Sequence, residues 1–272
     1  MSQPEWAVRP PHPALRRRIS RYVGYTQQGV TLTVHRGLPS RHVTLIISLA
    51  DKIRLLGRAD FTAPVGGMHV RPALIGQDSY QCGVHVELDP LGIPALLGVS
   101  SGELSDQVVE LGDLGSPRLA RLPERLAAAE NWPRRFDILD EVFLAEAAEN
   151  EPAPEVDWAW QRMIRAAGRV RVATLADEVG WSRRHFGERF RRELGLSPKQ
   201  AARVLRFERA GALLRRGRAD LAELAVDSGY YDQAHLTNEW RELAGCTPGV
   251  WIAEELPFLQ DQDGEMTADS GA

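Results

Sequence analysis

Between Arg162 and Arg218 the chain carries sixteen Lys/Arg against five Asp/Glu, although the protein as a whole has a net charge of −4. A basic block inside an acidic chain is the electrostatic footprint of a segment that meets a polyanion, and double-stranded DNA is the polyanion considered first. From Ala219 to Glu255 the balance reverses, with Arg241 alone against eight acids. Lys52 and Lys199 are the two lysines of the chain. Coding bias explains that arginine preference as well as phosphate recognition does, so it carries no weight.

Other residues that could do chemistry lack the spacing for it. His85-Val86-Glu87 lies in a strand-like run, with His35, His42 and His69 elsewhere in the same region. A metal site on such a strand would show His-x-His with a glutamate a few residues on, so these read as core or surface histidines and no metal or cofactor is expected. Cys82 has no resolving cysteine nearby and reads as an inert thiol. Gly66-Gly67 is a turn signal, because no Lys-Ser/Thr follows to make a phosphate loop. No Ser/His/Asp spacing resembles a hydrolase site. The chain is therefore read as not an enzyme.

The elements that would position the basic block fall into two groups. With 272 residues the chain has room for two domains. No apolar run approaches the roughly 20 residues of a membrane helix. Residues 1–20 carry four arginines and no apolar segment, unlike a secretory signal. Two cysteines, Cys82 and Cys246, rule out a disulfide scaffold. A cytoplasmic location is expected. Residues 22–89 hold short β-type runs (Thr31–Arg36, Val43–Leu49, Lys52–Leu56, Cys82–Leu88) broken by Gly and Pro. Helix starts follow at Asp89-Pro90, at Ser116-Pro117 leading into Arg118–Glu130, and at Pro133 for a run to Glu149. The expected fold is thus an α+β regulatory or dimerisation domain over 1–150, β-rich and then helical. A Pro-bearing linker follows over 151–157, an all-helical domain over 158–256 and an acidic disordered tail over 257–272.

The helical domain repeats itself. Leu175-Ala176, Gly180 and Trp181 recur at an offset of 49 as Leu224-Ala225, Gly229 and Tyr230. His185-Phe186, Phe190, Gly195 and Ser197-Pro198 recur at 50 as His235-Leu236, Trp240, Gly245 and Thr247-Pro248. One residue inserted after Gly229 explains the slip. Each copy reads as helix, glycine turn, helix, the parts of a helix-turn-helix unit. Thr174 with Asp177 and Asp220 with Glu223 outline capping boxes, and Ser182 and Asp232 cap the second helices. Between the copies Ser197-Pro198-Lys199-Gln200 opens a long helix to about Arg216 that would hold the units at a fixed separation.

Residues 158–255 resemble the DNA-binding domain of the AraC/XylS family of bacterial transcription regulators. The likeness rests on Leu-Ala-x-x-Val-Gly-Trp-Ser-x-x-x-Phe-x-x-x-Phe-x-x-x-Leu-Gly-x-Ser-Pro over 175–198. It continues in Arg206-x-x-x-Ala210-x-x-Leu213-Leu214 and in Leu-Ala-x-x-x-Gly-Tyr over 224–230, running on to Thr247-Pro248. The resemblance implies seven helices with two recognition helices in successive turns of the major groove. The front domain resembles, more weakly, the effector-binding or dimerising domains joined to such regulators.

With Phe186 and Phe190 inward, a 100° turn per residue puts Arg184, Glu188 and Arg191 outward, flanked by Arg183, Gly187 and Arg192. Arg184 suits a bidentate contact to guanine, and Arg191 and Arg192 suit phosphate. Glu188 departs from the family, where a basic or amide residue is usual. It either accepts from a cytosine amine or orients Arg184. The second helix presents Ala234, Asn238 and Arg241, with Thr237 beside them and Gln233 at its start. The family often has a basic residue where Asn238 stands, so the first unit is expected to supply most of the affinity. Lys199, Arg203 and Arg206 on the linking helix are the expected phosphate contacts. The functional expectation is a transcription regulator that reads an asymmetric site whose halves lie one helical turn apart, about 34–36 Å. A small effector at the front domain, a second copy of the chain and RNA polymerase are the further partners considered. A catalytic front domain and a purely protein-binding double helix-turn-helix are the rival classes.

Overall fold

The computed structural model describes residues 5–217 and 220–255. Among the described residues the front half holds ten strands: β1 (Glu5–Arg9), β2 (Ile19–Gln28), β3 (Val34–Gly37), β4 (Val43–Ser48), β5 (Ile53–Leu55), β6 (Asp60–Phe61), β7 (Pro64–Gly66), β8 (Ala73–Gly76), β9 (Tyr80–Leu88) and β10 (Val108–Glu110). They form two antiparallel sheets, ordered β1-β2-β9-β4-β7-β10 and β3-β8-β5-β6. In the larger sheet His85 stands between Val23 and Ile46, and Val86 between Tyr22 and Leu45. Alternate residues therefore face opposite ways.

One face packs on helices. Tyr22, Leu45, Ile47, Val84, Val86 and Leu88 are fully buried there. They meet helix α5 (Trp132–Glu146), which follows α1 (Ile93–Leu97), α2 (Ser101–Leu104), α3 (Pro117–Ala120) and α4 (Leu122–Ala127). Tyr22 stacks on Phe136 at 5.9 Å. Gly24 is needed beneath Trp132, because a Cβ there would lie 2.4 Å from the indole. The other face, with Arg21, Val23, Tyr25, Gln27, Ile46, Ser48, Gln81 and His85, is not packed shut. It lines a cavity of about 360 Å³.

Seven helices follow among the described residues: α6 (Pro154–Arg165), α7 (Val172–Glu178), α8 (Arg183–Leu194), α9 (Pro198–Arg215), α10 (Leu221–Ser228), α11 (Gln233–Ala244) and α12 (Pro248–Glu254). The apolar faces of α8 and α11 bury Phe186, Phe190, Leu194, Leu236, Trp240 and Leu243. Trp160 meets Phe190 edge-on at 6.2 Å, and Trp240 packs between Phe207 and Trp251 at 4.6 and 5.4 Å. The glycine turns form as the repeat requires, with φ of +72° at Gly180 and +84° at Gly229. Ser182 and Asp232 accept from the backbone N–H of His185 and His235, and Ser197 makes a full capping box with Gln200.

Several expectations need correction. The linker placed over 151–157 gives way at Pro154, where α6 begins with proline in its first turn and Glu155 and Asp157 near its positive end. Helix α7 starts at Val172, so Thr174 and Asp177 lie within it and form no capping box. The run Arg118–Glu130 breaks into α3 and α4 around Arg121, and the run from Pro133 ends at Glu146. Gly66 belongs to β7, paired with Thr44 and Val108. Gly67 beside it is a close approach, since a Cβ there would sit 1.8 Å from the carbonyl oxygen of Leu104. Strand β1 precedes the β-rich stretch expected over 22–89, and β2 matches none of the runs singled out within it. The expected tail, 257–272, and Arg218 of the basic block lie outside the described residues.

The two halves pack on each other. The Ser105 hydroxyl donates to the Gly195 carbonyl at 2.6 Å, just past the end of α8, and Gly102 faces the Arg192 carbonyl. The Arg41 N–H donates to Glu208 of α9 at 2.9 Å. Arg36 donates to Glu254 and Glu255 near the end of α12, both at 2.9 Å.

Candidate nucleic-acid interface

Helix α8 presents what its periodicity predicts. Arg183, Arg184, Glu188, Arg191 and Arg192 are exposed, and Gly187 is half-buried, with open space where a Cβ would stand. The Arg184 Nε donates to Glu188 at 2.9 Å, with the arginine side chain 89% exposed. An ion pair so exposed adds little stability. It sets the Arg184 guanidinium and the Glu188 carboxylate side by side on the outward face of the helix. His185 lies edge-on to Trp181 at 4.7 Å, on the turn.

Helix α11 has the same build with a different surface. Gln233, Ala234, Asn238 and Arg241 are exposed and Thr237 is half-buried. Arg241 reaches back to the Asn238 side-chain oxygen at 3.4 Å. His235 holds the turn, accepting at Nδ1 from the Tyr231 N–H at 3.3 Å and standing edge-on to Tyr230 at 5.3 Å.

On α9, Lys199 is exposed, but Arg203 and Arg206 face inward toward α11. Arg203 Nε donates to Glu239 at 3.1 Å, and its Nη2 reaches Glu242. Arg206 Nη2 spans both Glu239 oxygens at 3.2 and 3.1 Å, and its guanidinium lies over the Tyr230 ring at 5.5 Å. These two arginines fasten α11 to its scaffold, and their charge is answered inside the protein. Glu239, 14% exposed, is the hub, and sequence reasoning passed over it. The repeat held the signal: Glu239 aligns with Arg189, which pairs with Glu193 at 3.1 Å in the first unit.

The rejected signals also find places. Cys82 and Cys246 are free and half-buried. His85 is half-buried on the cavity-facing side of the larger sheet, and desolvation lowers the pKa of its imidazole. Burial likewise brings His42 down to about 4. Among the described residues no group of three or more His, Cys, Asp or Glu is arranged to hold a metal ion. No described helix is long and apolar enough to cross a membrane.

Two helix-turn-helix units on one chain, joined by a single long helix, define a double helix-turn-helix protein, and comparison with known proteins agrees. The Helix-turn-helix domain family matches residues 175–254. The virulence regulon transcriptional activator VirF of Yersinia enterocolitica is 30% identical over 78 residues, 29% of each chain. A Streptomyces lividans protein named for its AraC-like character is 35% identical over 78 residues, 29% of this chain and 26% of its own. The chain thus spans less than a third of the length of these relatives. ToxT of Vibrio cholerae shares the whole two-domain fold, with a TM-score of 0.51 over 93% of this chain and 99% of that one at 10% identity. Over residues 175–254 the chain is thus similar to the helix-turn-helix part of AraC-like transcription regulators.

Proposed function

We propose that this protein is a DNA-binding transcription regulator that reads an asymmetric site through α8 and α11. One observation carries the reading. Helix α8 exposes Arg183, Arg184, Arg191 and Arg192 over a buried Phe186–Phe190 face, and the same helix build with a less charged surface recurs as α11, 50 residues on. In this reading Arg184 reads a base, with Glu188 setting its angle, and Arg191, Arg192 and Lys199 meet phosphates. Gln233, Ala234, Thr237, Asn238 and Arg241 make the weaker half of the interface. Residues 1–150 form the regulatory domain, and 158–256 the DNA-binding one. The cavity of about 360 Å³ between the two sheets supports a small effector as the controlling signal. The acidic second unit supports RNA polymerase as a protein partner, and the front domain is the surface by which a second copy would join. A regulator of this kind acts in the cytoplasm.

Selection of sites from random duplex DNA by the full chain, at near-physiological salt, tests the proposal. The full chain is the right probe because the front domain grips α8, α9 and α12. Enrichment of an asymmetric two-part motif is expected. Retention that is salt-sensitive and shows no enriched sequence would overturn the reading.

A further inference from the structure

Tyr231 is the residue at which the internal repeat slips. The copies run at an offset of 49 up to Tyr230 and of 50 from Asp232, and Tyr231 is what the second copy has and the first lacks. Its side chain is 90% exposed, above every other large apolar residue described. Isolated exposed apolar residues are common on protein surfaces, but the backbone here fixes where this one stands. Its neighbour Tyr230 turns inward, 4% exposed. The Tyr231 N–H donates to His235 at 3.3 Å, and Asp232, next in the chain, caps α11 by accepting from the His235 N–H at 2.7 Å. The chain on both sides of Tyr231 is thus held, and its ring lies at the N-terminal end of the exposed line Ala234, Asn238, Arg241.

That end of the second unit is short of charge. Helix α8 opens on Arg183 and Arg184, whereas α11 opens on Gln233 and Ala234. The nearby arginines of α9 are committed to Glu239. A helix seated on a duplex without a cation in its first turn still needs a donor for the phosphate beside it. A phenol offers a neutral O–H donor on a flat ring that can lie along a deoxyribose.

We propose that Tyr231 is a DNA contact of the second unit. Its hydroxyl donates to a backbone phosphate at the edge of the groove that α11 enters, and its ring packs on the adjoining sugar. The contact seats α11 so that Gln233 and Asn238 reach base edges. This rests on the reading of the chain as a DNA-binding regulator.

The test uses the full chain and a duplex carrying the site that chain selects. Affinity is measured against salt, with a hydroxyl-radical footprint, for wild type, Tyr231→Phe and Tyr231→Ala. Tyr231→Phe is expected to weaken binding roughly tenfold, as the loss of a hydrogen bond to a charged acceptor implies, and Tyr231→Ala, which also loses the packing on the sugar, by more. The salt slope should stay at the wild-type value, because a neutral donor releases no counterion. Protection should thin on the half-site covered by α11 and persist on the other. Tyr231→Ala that binds like wild type with both halves protected overturns the proposal, and so does a loss in which both halves fade together. Wild-type DNA binding with lost capture of purified RNA polymerase would assign the ring to a protein surface instead and sink the DNA contact. A wild-type chain that selects no site removes the functional reading and this contact with it. A wild-type footprint with an indifferent Tyr231→Ala removes the contact alone.

Discussion

Arg206→Ala separates a structural arginine from a DNA-binding one. In the folded protein the Arg206 side chain is 16% exposed, spans both oxygens of Glu239 and lies over the Tyr230 ring. Truncation removes a charge-assisted interaction of about 1.5–3 kcal/mol and a cation–π contact of about 0.5–1 kcal/mol. Glu239 keeps Arg203 at 3.1 Å and His235 at 3.5 Å, so it is not left bare. Residual solvent access reduces the total further, and a net loss of about 2 kcal/mol is expected. At a urea slope of about 2 kcal/mol/M the unfolding midpoint of the helical domain falls by about 1 M. The salt dependence of DNA binding should keep its wild-type slope, whereas Lys199→Ala should flatten it by about 0.9, the share of one phosphate contact. Arg206→Ala that unfolds at the wild-type urea concentration and flattens the salt slope by that amount would refute this assignment.

Arg184→Ala should cost specific affinity by about tenfold to a hundredfold and relax the preference at one base pair, read by competition with single-substitution duplexes. Arg241→Ala should cost less, and a larger loss there would reverse the ranking of the two units. Burial between the domains pushes Glu208 up to about 7, against the N–H and charge of Arg41, with Glu87 raising it further and Arg215 opposing. Its folded value lies above its unfolded one, so this carboxyl favours the folded state at low pH. That contribution is lost as pH rises from about 4.5 to 7, at a cost of about 3 kcal/mol. His42 and His85, whose pKa values burial lowers, act in the opposite sense as pH falls. Glu208→Gln isolates the carboxyl: the stability difference between it and wild type should grow in favour of the variant from pH 5 to pH 8, followed by urea unfolding. A difference independent of pH would show that Glu208 is ionised throughout.

Much of the DNA-binding half was legible because its signals are local. A cap, a glycine at positive φ and a 3.6-residue apolar stripe all act within one or two turns of helix. Gly180, Ser182, Phe186 and Phe190 therefore place α8 from sequence spacing alone, and the repeat confirms α11 from the same rules. Where two local rules competed, neighbours outside the window decided. Thr174 suits a cap, yet α7 starts two residues earlier, at Val172. Pro154 reads as part of a linker by composition and as a helix start by position, and the helix prevails. Strand β2 was unreadable for a different reason. Its cavity-facing side carries Arg21 and Gln27, polar residues that line the space between the sheets, so the pattern mimics a surface segment.

What the amino-acid order determines by itself is the inventory: two helix-turn-helix units, their caps, the outward arginines of α8 and the charge contrast between the units. Tertiary structure decides which charges are free. Arg203 and Arg206 look like Arg191 and Arg192 in sequence, all arginines on helices in one basic block. Their partner Glu239 lies 36 and 33 residues away, and folding brings it within hydrogen-bond distance. The cavity between the sheets and the grip of Ser105 and Arg41 on the DNA-binding half are likewise products of pairing between distant segments. Helical periodicity is a property of consecutive residues, whereas charge compensation depends on neighbours in space.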